Sequence, residues 1–206
     1  MTRRFFSRDV AKALGYFVNG KIFGLQNEYT GRDGGTPASR AALARLRRDL
    51  DGSAPAWMLI GGDLFDGWSQ SLPPAEDDPA ALRAAKTAME LYAVHQQSKG
   101  YGVAQDTGSA RADRMTFGRA CRLIQPDLEH ANGVIGKLKS AEAVPDFEGV
   151  VRNMRALIML MRSVGERRIT IDYRSLTQDL YQMQFPEARS DVFLRWSMDY
   201  HSKIKQ

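Results

Sequence analysis

The sequence has few of the residues that form cross-links and common metal sites. Among 206 residues there is one cysteine, Cys121, and there are three histidines. A single cysteine excludes an internal disulfide. The histidines His95, His130 and His201 do not stand four residues apart, as two ligands on one helical face do, and no HExxH or paired-cysteine motif occurs. We therefore expect no metal and no other cofactor.

Long apolar runs are also missing. No stretch is long enough to span a bilayer, and the first residues, Met1-Thr2-Arg3-Arg4, are followed by polar residues soon after Phe5 and Phe6 instead of by the apolar core of a signal peptide. We expect a cytoplasmic protein that does not enter a membrane. A hydrophobic fraction of 43% and a charged fraction of 26% are ordinary for a protein with a buried core.

Alternating β-branched residues, the usual mark of strands, are almost absent, since 168–171 is the one short candidate. Apolar residues at helical spacing instead predict an all-α bundle of about eight to nine helices. We expect one unit over residues 1–206, with sub-bundles, if it divides, at 1–110 and 111–206. The predicted helices cover residues 7–29, 38–50, 79–97, 116–124, 127–143, 146–164, 172–184 and 188–202.

Several residues between these predicted helices are typical of helix ends or loops. Thr36 and Pro37 are typical of an N-cap and a first helical position, Thr116 and Asp172 are further capping candidates, and Pro186 is expected to stop a helix. The segment 72–79, rich in proline and acid, is predicted to be an exposed loop. Residues 99–113, with three glycines, are predicted to be a flexible loop.

Positive charge is concentrated in two parts of the chain. The net charge is +5 overall, made up of +5 over residues 1–60, −4 over 61–110, +4 over 111–168 and zero over the remainder. Two basic segments therefore flank an acidic one. Such a distribution suits a phosphate-bearing partner, although many basic proteins bind no anion.

Helical geometry places several basic side chains on common faces. Arginine suits phosphate because its planar fork makes two hydrogen bonds and stays charged. The alternative is that these are solvated faces, with some arginines paired to carboxylates such as Asp49, Glu148 or Glu166. The candidate nucleic-acid-binding residues are Arg40, Arg45, Arg47 and Arg48, then Arg119 and Arg122, Lys137 and Lys139, and finally Arg152, Arg155 and Arg162.

No catalytic group can be assembled from these residues. His95 ends a predicted helix, which favours a capping or core role. Cys121 is expected in the core, although Arg119 and Arg122 are near enough in sequence to lower its pKa. Asp172 and Asp179 lie on one helical face, where a cap and a buried network are the favoured roles. We expect the protein not to be an enzyme.

Four short phrases in a fixed order carry a family resemblance. In this order, on a helical and basic chain, they resemble the CasB family, the small subunit of the type I-E CRISPR effector Cascade. The phrases are His95-Gln96-Gln97, then Phe117-Gly118-Arg119-Ala120, then Asp172-Tyr173 with Leu176 and Asp179-Leu180, and finally Leu194-Arg195-Trp196 with Tyr200.

The resemblance implies a function. CasB-like proteins are all-helical and non-catalytic, and they help to hold the guide RNA–target DNA hybrid and the displaced strand. The implied partners are crRNA and target DNA, other Cascade subunits and a second copy of the chain. Arg119 is the foremost candidate contact because it lies inside a matching phrase, with an ion pair inside the bundle as its alternative role. Arg195 has a structural role as an equal alternative, and Tyr173, Tyr181, Trp196 and Tyr200 are expected in the core.

Two other functions remain open at this point. A helical adaptor would use its basic faces to bind acidic proteins and would show no affinity for DNA or RNA at moderate salt. A DNA-binding regulator would need a helix-turn-helix, and no convincing one is found.

Overall fold

The computed structural model describes residues 5–31, 35–50, 57–72, 77–105, 114–165 and 167–202, without the side chains of residues 49, 50, 59 and 60. Within these ranges the backbone is helical apart from loops and one isolated β-bridge, so the predicted all-α class is confirmed. Nine helices and the single turn α4 are described. They are α1 (Arg8–Tyr29), α2 (Pro37–Leu50), α3 (Trp57–Phe65), α4 (Trp68–Ser71), α5 (Pro79–Gln96), α6 (Phe117–Ile124), α7 (Asn132–Ala143), α8 (Phe147–Ser163), α9 (Tyr173–Gln182) and α10 (Pro186–His201).

Side-chain caps explain where many of these helices begin. The first-turn N–H groups of a helix have no partner within the helix, and a short polar side chain before it can accept from them. The predicted caps Thr36, Thr116 and Asp172 are confirmed, because each accepts from a backbone N–H three residues on. Ser7 and Asp146 cap α1 and α8 in the same way, and Asp78 caps α5 by accepting from the N–H of Ala80, two residues on.

Helix α5 is the central helix of the bundle. Every residue from Thr87 to Gln96 is buried, and α5 packs against α1, α2, α8 and α9. Its direction is opposite to that of α9. At one end of α5 the Tyr181 hydroxyl donates to the Asp78 carboxylate over 2.9 Å, and at the other end Nδ1 of His95 lies 3.1 Å from the Tyr173 hydroxyl oxygen.

Helix α1 lies against α9 at a distance that only glycine permits. A Cβ on Gly15 would lie 2.9 Å from the Arg174 carbonyl oxygen and 2.8 Å from the Gln178 side chain. The two helices also run in opposite directions, since Phe6 packs on Tyr181 while Gln26, near the other end of α1, hydrogen-bonds both backbone groups of Ala104. The helix predicted over residues 7–29 is thus confirmed.

Part of the predicted flexible loop is fixed. Residues 103–105 run beside Ile171, whose N–H donates to the Val103 carbonyl over 2.9 Å and whose carbonyl accepts from the Gln105 N–H over 2.9 Å. The expectation of flexibility is therefore wrong for this stretch, because backbone pairing and buried glutamines hold it. Residues 106–113 lie outside the described part of the chain.

Some predicted boundaries also change. The segment Asp127–Ala131 forms turns before α7, and α9 ends at Gln182 instead of Gln184. Pro186 does not only stop a helix, because it also occupies the first turn of α10, where its missing N–H costs nothing. Leu72, predicted in an exposed loop, is 1% exposed and belongs to the core. Among the described helices, none combines the length and apolarity that crossing a bilayer requires.

Candidate nucleic-acid interface

The His95-Gln96-Gln97 phrase shapes the loop that follows α5. The buried Gln96 amide donates to the backbone carbonyls of Lys99 and Tyr101 over 3.0 and 2.8 Å, and its oxygen accepts from the Val103 N–H over 3.1 Å. One side chain thereby satisfies three backbone groups of a loop without regular structure. The result is a fixed position for the backbone of Lys99 and Tyr101.

Cations from three parts of the chain meet around this loop. Lys99 Nζ donates to the Arg162 carbonyl over 2.9 Å, and Arg162 donates back to the Gln97 carbonyl over 3.3 Å. The Arg168 guanidinium lies 4.9 Å from the centroid of the Tyr101 ring. Arg47 of α2 is close enough to the Arg162 guanidinium to disfavour its charge. We name Arg47, Lys99, Arg162 and Arg168 the basic cluster.

The basic cluster is an arrangement of like charges. Burial, followed by the charge of Arg47, lowers the pKa of Arg162 from its ordinary value. Among the described residues, no carboxylate lies within ion-pair distance of any of the four charged groups. Some of their donors cap the carboxyl ends of α5 and α8, where cations are favoured. No carboxylate among the described side chains neutralises the rest of their positive charge.

His95 lies beneath the basic cluster and is uncharged. Burial lowers its pKa to about 3, and the nearby charges of Lys99 and Arg162 act in the same direction. The ring is fixed between the Tyr173 hydroxyl and a backbone hydrogen bond with Ile169. The core interpretation of His95 is confirmed, and a catalytic proton transfer near neutral pH is not what this environment supports.

The other candidate residues of α2 differ in their surroundings. Arg40 and Arg48 are exposed on the helix surface. Arg45 is half-buried and donates to the Asp63 carboxylate of α3 over 2.8 Å. The charge of Arg47 thus acts on Arg162 of α8, while Arg45 is paired with a carboxylate within the bundle.

The candidates on α7 and α8 are spread along their helices. Arg152 is exposed and lies 3.9 Å from the capping carboxylate of Asp146. Arg155 is half-buried further along α8, on the way to Arg162 in the basic cluster. Lys137 is half-buried and Lys139 is exposed on α7, which packs against α8.

Arg119 lies at the junction of α6 and α10. Its Nε is 3.8 Å from Oδ1 of Asp199, and its Nη1 donates to the Arg114 carbonyl over 3.1 Å. The Thr116 hydroxyl donates to the same Asp199 carboxylate over 2.7 Å. A Cβ on Gly118 would collide with the Trp196 carbonyl oxygen. The phrase around Arg119 therefore attaches α6 to α10, and nearby Arg122 lies 5.9 Å from the centroid of the Tyr200 ring.

The remaining phrases also build the scaffold. Asp179 is buried and accepts from Arg195 and from the Trp196 indole, each over 2.7 Å. Burial raises the pKa of Asp179, while the charge and hydrogen bond of Arg195 oppose that shift. The expected roles of Asp172 as a cap and of Asp179 in a buried network are confirmed. The four aromatic residues predicted in the core, Tyr173, Tyr181, Trp196 and Tyr200, are all buried.

Cys121 is fully buried, as expected for a small core residue. The idea that Arg119 and Arg122 lower its pKa is wrong, because burial raises the pKa of this thiol. In the part of the chain that the structure describes, no three residues of the types His, Cys, Asp and Glu are grouped as a metal site would require.

Sequence reasoning missed Lys99, Tyr101 and Arg168. Lys99 and Tyr101 lie in a segment interpreted as a flexible loop, and Arg168 is the first residue of the only candidate strand. Two features of the sequence could have pointed to these residues: the glutamine after His95 and the candidate strand. A buried glutamine can hold a loop beside a strand-like segment through hydrogen bonds to the backbone. Neither feature indicates by itself that the two segments meet.

Comparison with known proteins gives a consistent result. The sequence model described as CRISPR-associated protein Cse2 matches residues 42–201. CasB from Thermobifida fusca is 25% identical with a TM-score of 0.71, and the likeness covers 92% of this chain and 98% of that chain. A Cse2-family CRISPR-associated protein from Thermus thermophilus is 19% identical with a TM-score of 0.62, covering 91% and 97%, and shows the same fold. No curated protein matches the chain.

Proposed function

Because the chain belongs to the CRISPR-associated Cse2 family, the CasB family of type I-E Cascade, we propose that it is a non-catalytic, nucleic-acid-holding subunit of that complex. The resemblance carried by the four phrases is thereby confirmed. In this proposal the subunit stabilises the guide RNA–target DNA hybrid and the displaced strand through contacts to the phosphate backbone. Its partners are crRNA, target DNA, other Cascade subunits and a second copy of itself.

The observation that carries the proposal is the basic cluster. Four cations come together from α2, the loop after α5, the end of α8 and the segment before α9. Two of them, Lys99 and Arg168, lie beside the Tyr101 ring, and no described residue supplies a carboxylate within ion-pair distance. Such a concentration of positive charge attracts the phosphate backbone without reading bases. Base pairing with the guide supplies sequence specificity in an RNA-guided complex, so backbone contacts suffice.

The other predicted contacts surround this cluster or lie apart from it. Exposed and half-buried cations on α2, α7 and α8 can extend the phosphate path from the basic cluster. Arg45, Arg119 and Arg152 each have a carboxylate within ion-pair distance, so we expect them to contribute less to phosphate binding. The surrounding predicted contacts are Arg40, Arg48, Lys137, Lys139, Arg152 and Arg155, with Arg122 beside Arg119.

Charge reversal in the basic cluster tests the proposal. The variant Arg47→Glu/Arg168→Glu should bind a labelled single-stranded oligonucleotide and an RNA–DNA hybrid at least about tenfold more weakly than the wild type, since each charge–phosphate interaction is worth about 1 kcal/mol or more. The matched control is Arg8→Glu/Lys12→Glu, which makes the same charge change on exposed residues of α1.

Fluorescence anisotropy measures the affinities, and circular dichroism checks that both variants keep the helical fold. Equal affinity of the wild type and the cluster variant, or an equal loss in both variants, would contradict the assignment. Absence of any nucleic-acid binding at moderate salt would favour the protein-adaptor alternative.

A further inference from the structure

A second charged site is lined by residues other than those of the basic cluster. A groove of about 1270 Å³ runs between the first turns of α1, the start of α6, and helices α9 and α10. It is larger than a usual small-molecule pocket of about 300–1,000 Å³. Arg8 at the groove and Gln26 near the loop of the basic cluster are 18 positions apart on α1, which places the Arg8 end of the groove about 27 Å from that loop along the helix.

Most carboxylates of the groove already have partners. Asp179 accepts from Arg195, and Asp199 accepts from Thr116 and lies in ion-pair range of Arg119. Glu187 accepts from the Phe6 backbone N–H over 3.2 Å. These groups hold the walls of the groove together and do not neutralise its other cations.

Four cations of the groove remain, namely Arg8, Lys12, Arg114 and Arg174. Among the described residues, none of the four has a carboxylate within ion-pair distance. Arg8 and Lys12 are exposed one helical turn apart on α1. The Nε atoms of Arg114 and Arg174 are buried and have no acceptor among the described residues, which is costly for a charged donor.

The groove is also partly apolar and partly preformed. Arg174 is held over the Tyr16 ring, 3.7 Å from its centroid, so its guanidinium is fixed without a ligand. Phe5 and Met198 line the groove and are 67% and 66% exposed. A ligand that fills this site must therefore present anionic groups to the four cations and apolar groups to Phe5 and Met198.

We propose that this groove binds an extended acidic segment of a partner protein, in which Asp or Glu residues alternate with apolar ones. Clusters of arginine and lysine recognise such segments through charge-assisted hydrogen bonds. A nucleic-acid strand is the poorer match, because its backbone carries a charge at every phosphate and offers no aliphatic groups to the exposed side chains of Phe5 and Met198. The proposal uses none of the residues of the basic cluster, so it stands independently of nucleic-acid binding.

Isothermal titration calorimetry with three synthetic peptides tests this proposal. The probe is a peptide of repeated Glu-Glu-Leu units, and its two controls replace Glu by Gln or by Lys. The wild type should bind the acidic probe saturably and neither control. The variant Arg8→Glu/Lys12→Glu should bind the probe at least about tenfold more weakly, whereas Arg47→Glu/Arg168→Glu should retain wild-type affinity.

Both variants are also titrated with single-stranded oligonucleotide. A double dissociation, with the α1 variant losing only the peptide and the cluster variant losing only the oligonucleotide, supports the two separate sites. Several results would overturn the proposal: no saturable binding of the acidic peptide, equal binding of the Gln peptide, displacement of the peptide by the oligonucleotide, or loss of binding only in the cluster variant. Self-association of the wild type that the α1 variant abolishes would assign the groove to a second copy instead.

Discussion

The basic cluster and the junction between α6 and α10 both contain arginines that the sequence marks as nucleic-acid contacts, yet their surroundings differ. At the junction, Arg119 lies in ion-pair range of Asp199, and Gly118 lets the backbones of the two helices approach closely. In the basic cluster, Arg162 and its neighbours repel one another and have no carboxylate partner among the described residues. The same residue type thus takes part in an ion pair in one place and in a cluster of like charges in the other.

The largest effect is expected from crowding the junction. Gly118→Ala places a methyl group against the Trp196 carbonyl oxygen and should lower the free energy of unfolding by about 2–3 kcal/mol. Gly136→Ala is the matched control, because nothing lies within 4 Å of the added methyl group and the change should stabilise α7 by about 0.5–1 kcal/mol. Urea unfolding measures the free energy of unfolding of both variants. Equal stability of the two variants would show that α6 and α10 do not pack as described.

A smaller loss of stability is expected when the pH is lowered, because His95 beneath the basic cluster is buried without charge. The folded pKa of about 3 lies below the unfolded value of 6.5, so the stabilisation is complete above pH 6.5 and is lost as the pH falls toward 3. Between pH 7 and pH 5 the loss should reach about 2 kcal/mol. The variant His95→Gln has no imidazole at this position. The difference between the wild type and this variant in the pH dependence of the free energy of unfolding therefore gives the contribution of His95. Parallel curves for both proteins would contradict the assignment.

The smallest effect on stability is expected at Arg119, where it distinguishes an arginine in an ion pair from one that binds phosphate. Arg119→Gln breaks a partly buried ion pair and should cost about 0.5–1 kcal/mol of stability, with less than about a twofold change in nucleic-acid affinity. Arg40→Gln, on the exposed face of α2, should leave stability unchanged within about 0.5 kcal/mol. A tenfold loss of affinity in Arg119→Gln with unchanged stability would make Arg119 a phosphate contact and remove the distinction between the two regions.

Local signals in the sequence predicted most of the helices. Capping residues such as Thr36, Thr116 and Asp172 act on the N–H groups that follow them, and apolar spacing depends only on helical geometry. The errors occur where distant residues meet. The loop after α5 is held by Gln26, which is 78 residues from Ala104, and no local pattern shows that contact.

The candidate site was predictable only in part, for the same reason. Helical periodicity placed Arg47 and Arg162 each on a basic face, but not beside one another. Lys99 and Arg168 became candidates only when the buried Gln96 and the bridge to Ile171 had fixed their segments. Arg119 was the candidate best supported by a motif. A motif match indicates that a residue type is typical of the family, but it does not distinguish an arginine in an ion pair from one that contacts a ligand.

The salt dependence of nucleic-acid binding tests the central claim most directly. For a single strand, the slope of log K against log salt is about −0.7 for each phosphate that a cation neutralises. Because Arg47→Glu/Arg168→Glu removes two such cations, its slope should be shallower than that of the wild type by about 1.4. The slope for Arg119→Gln should equal that of the wild type. An unchanged slope in the cluster variant, or a shallower one only in Arg119→Gln, would contradict the assignment of phosphate binding to the basic cluster.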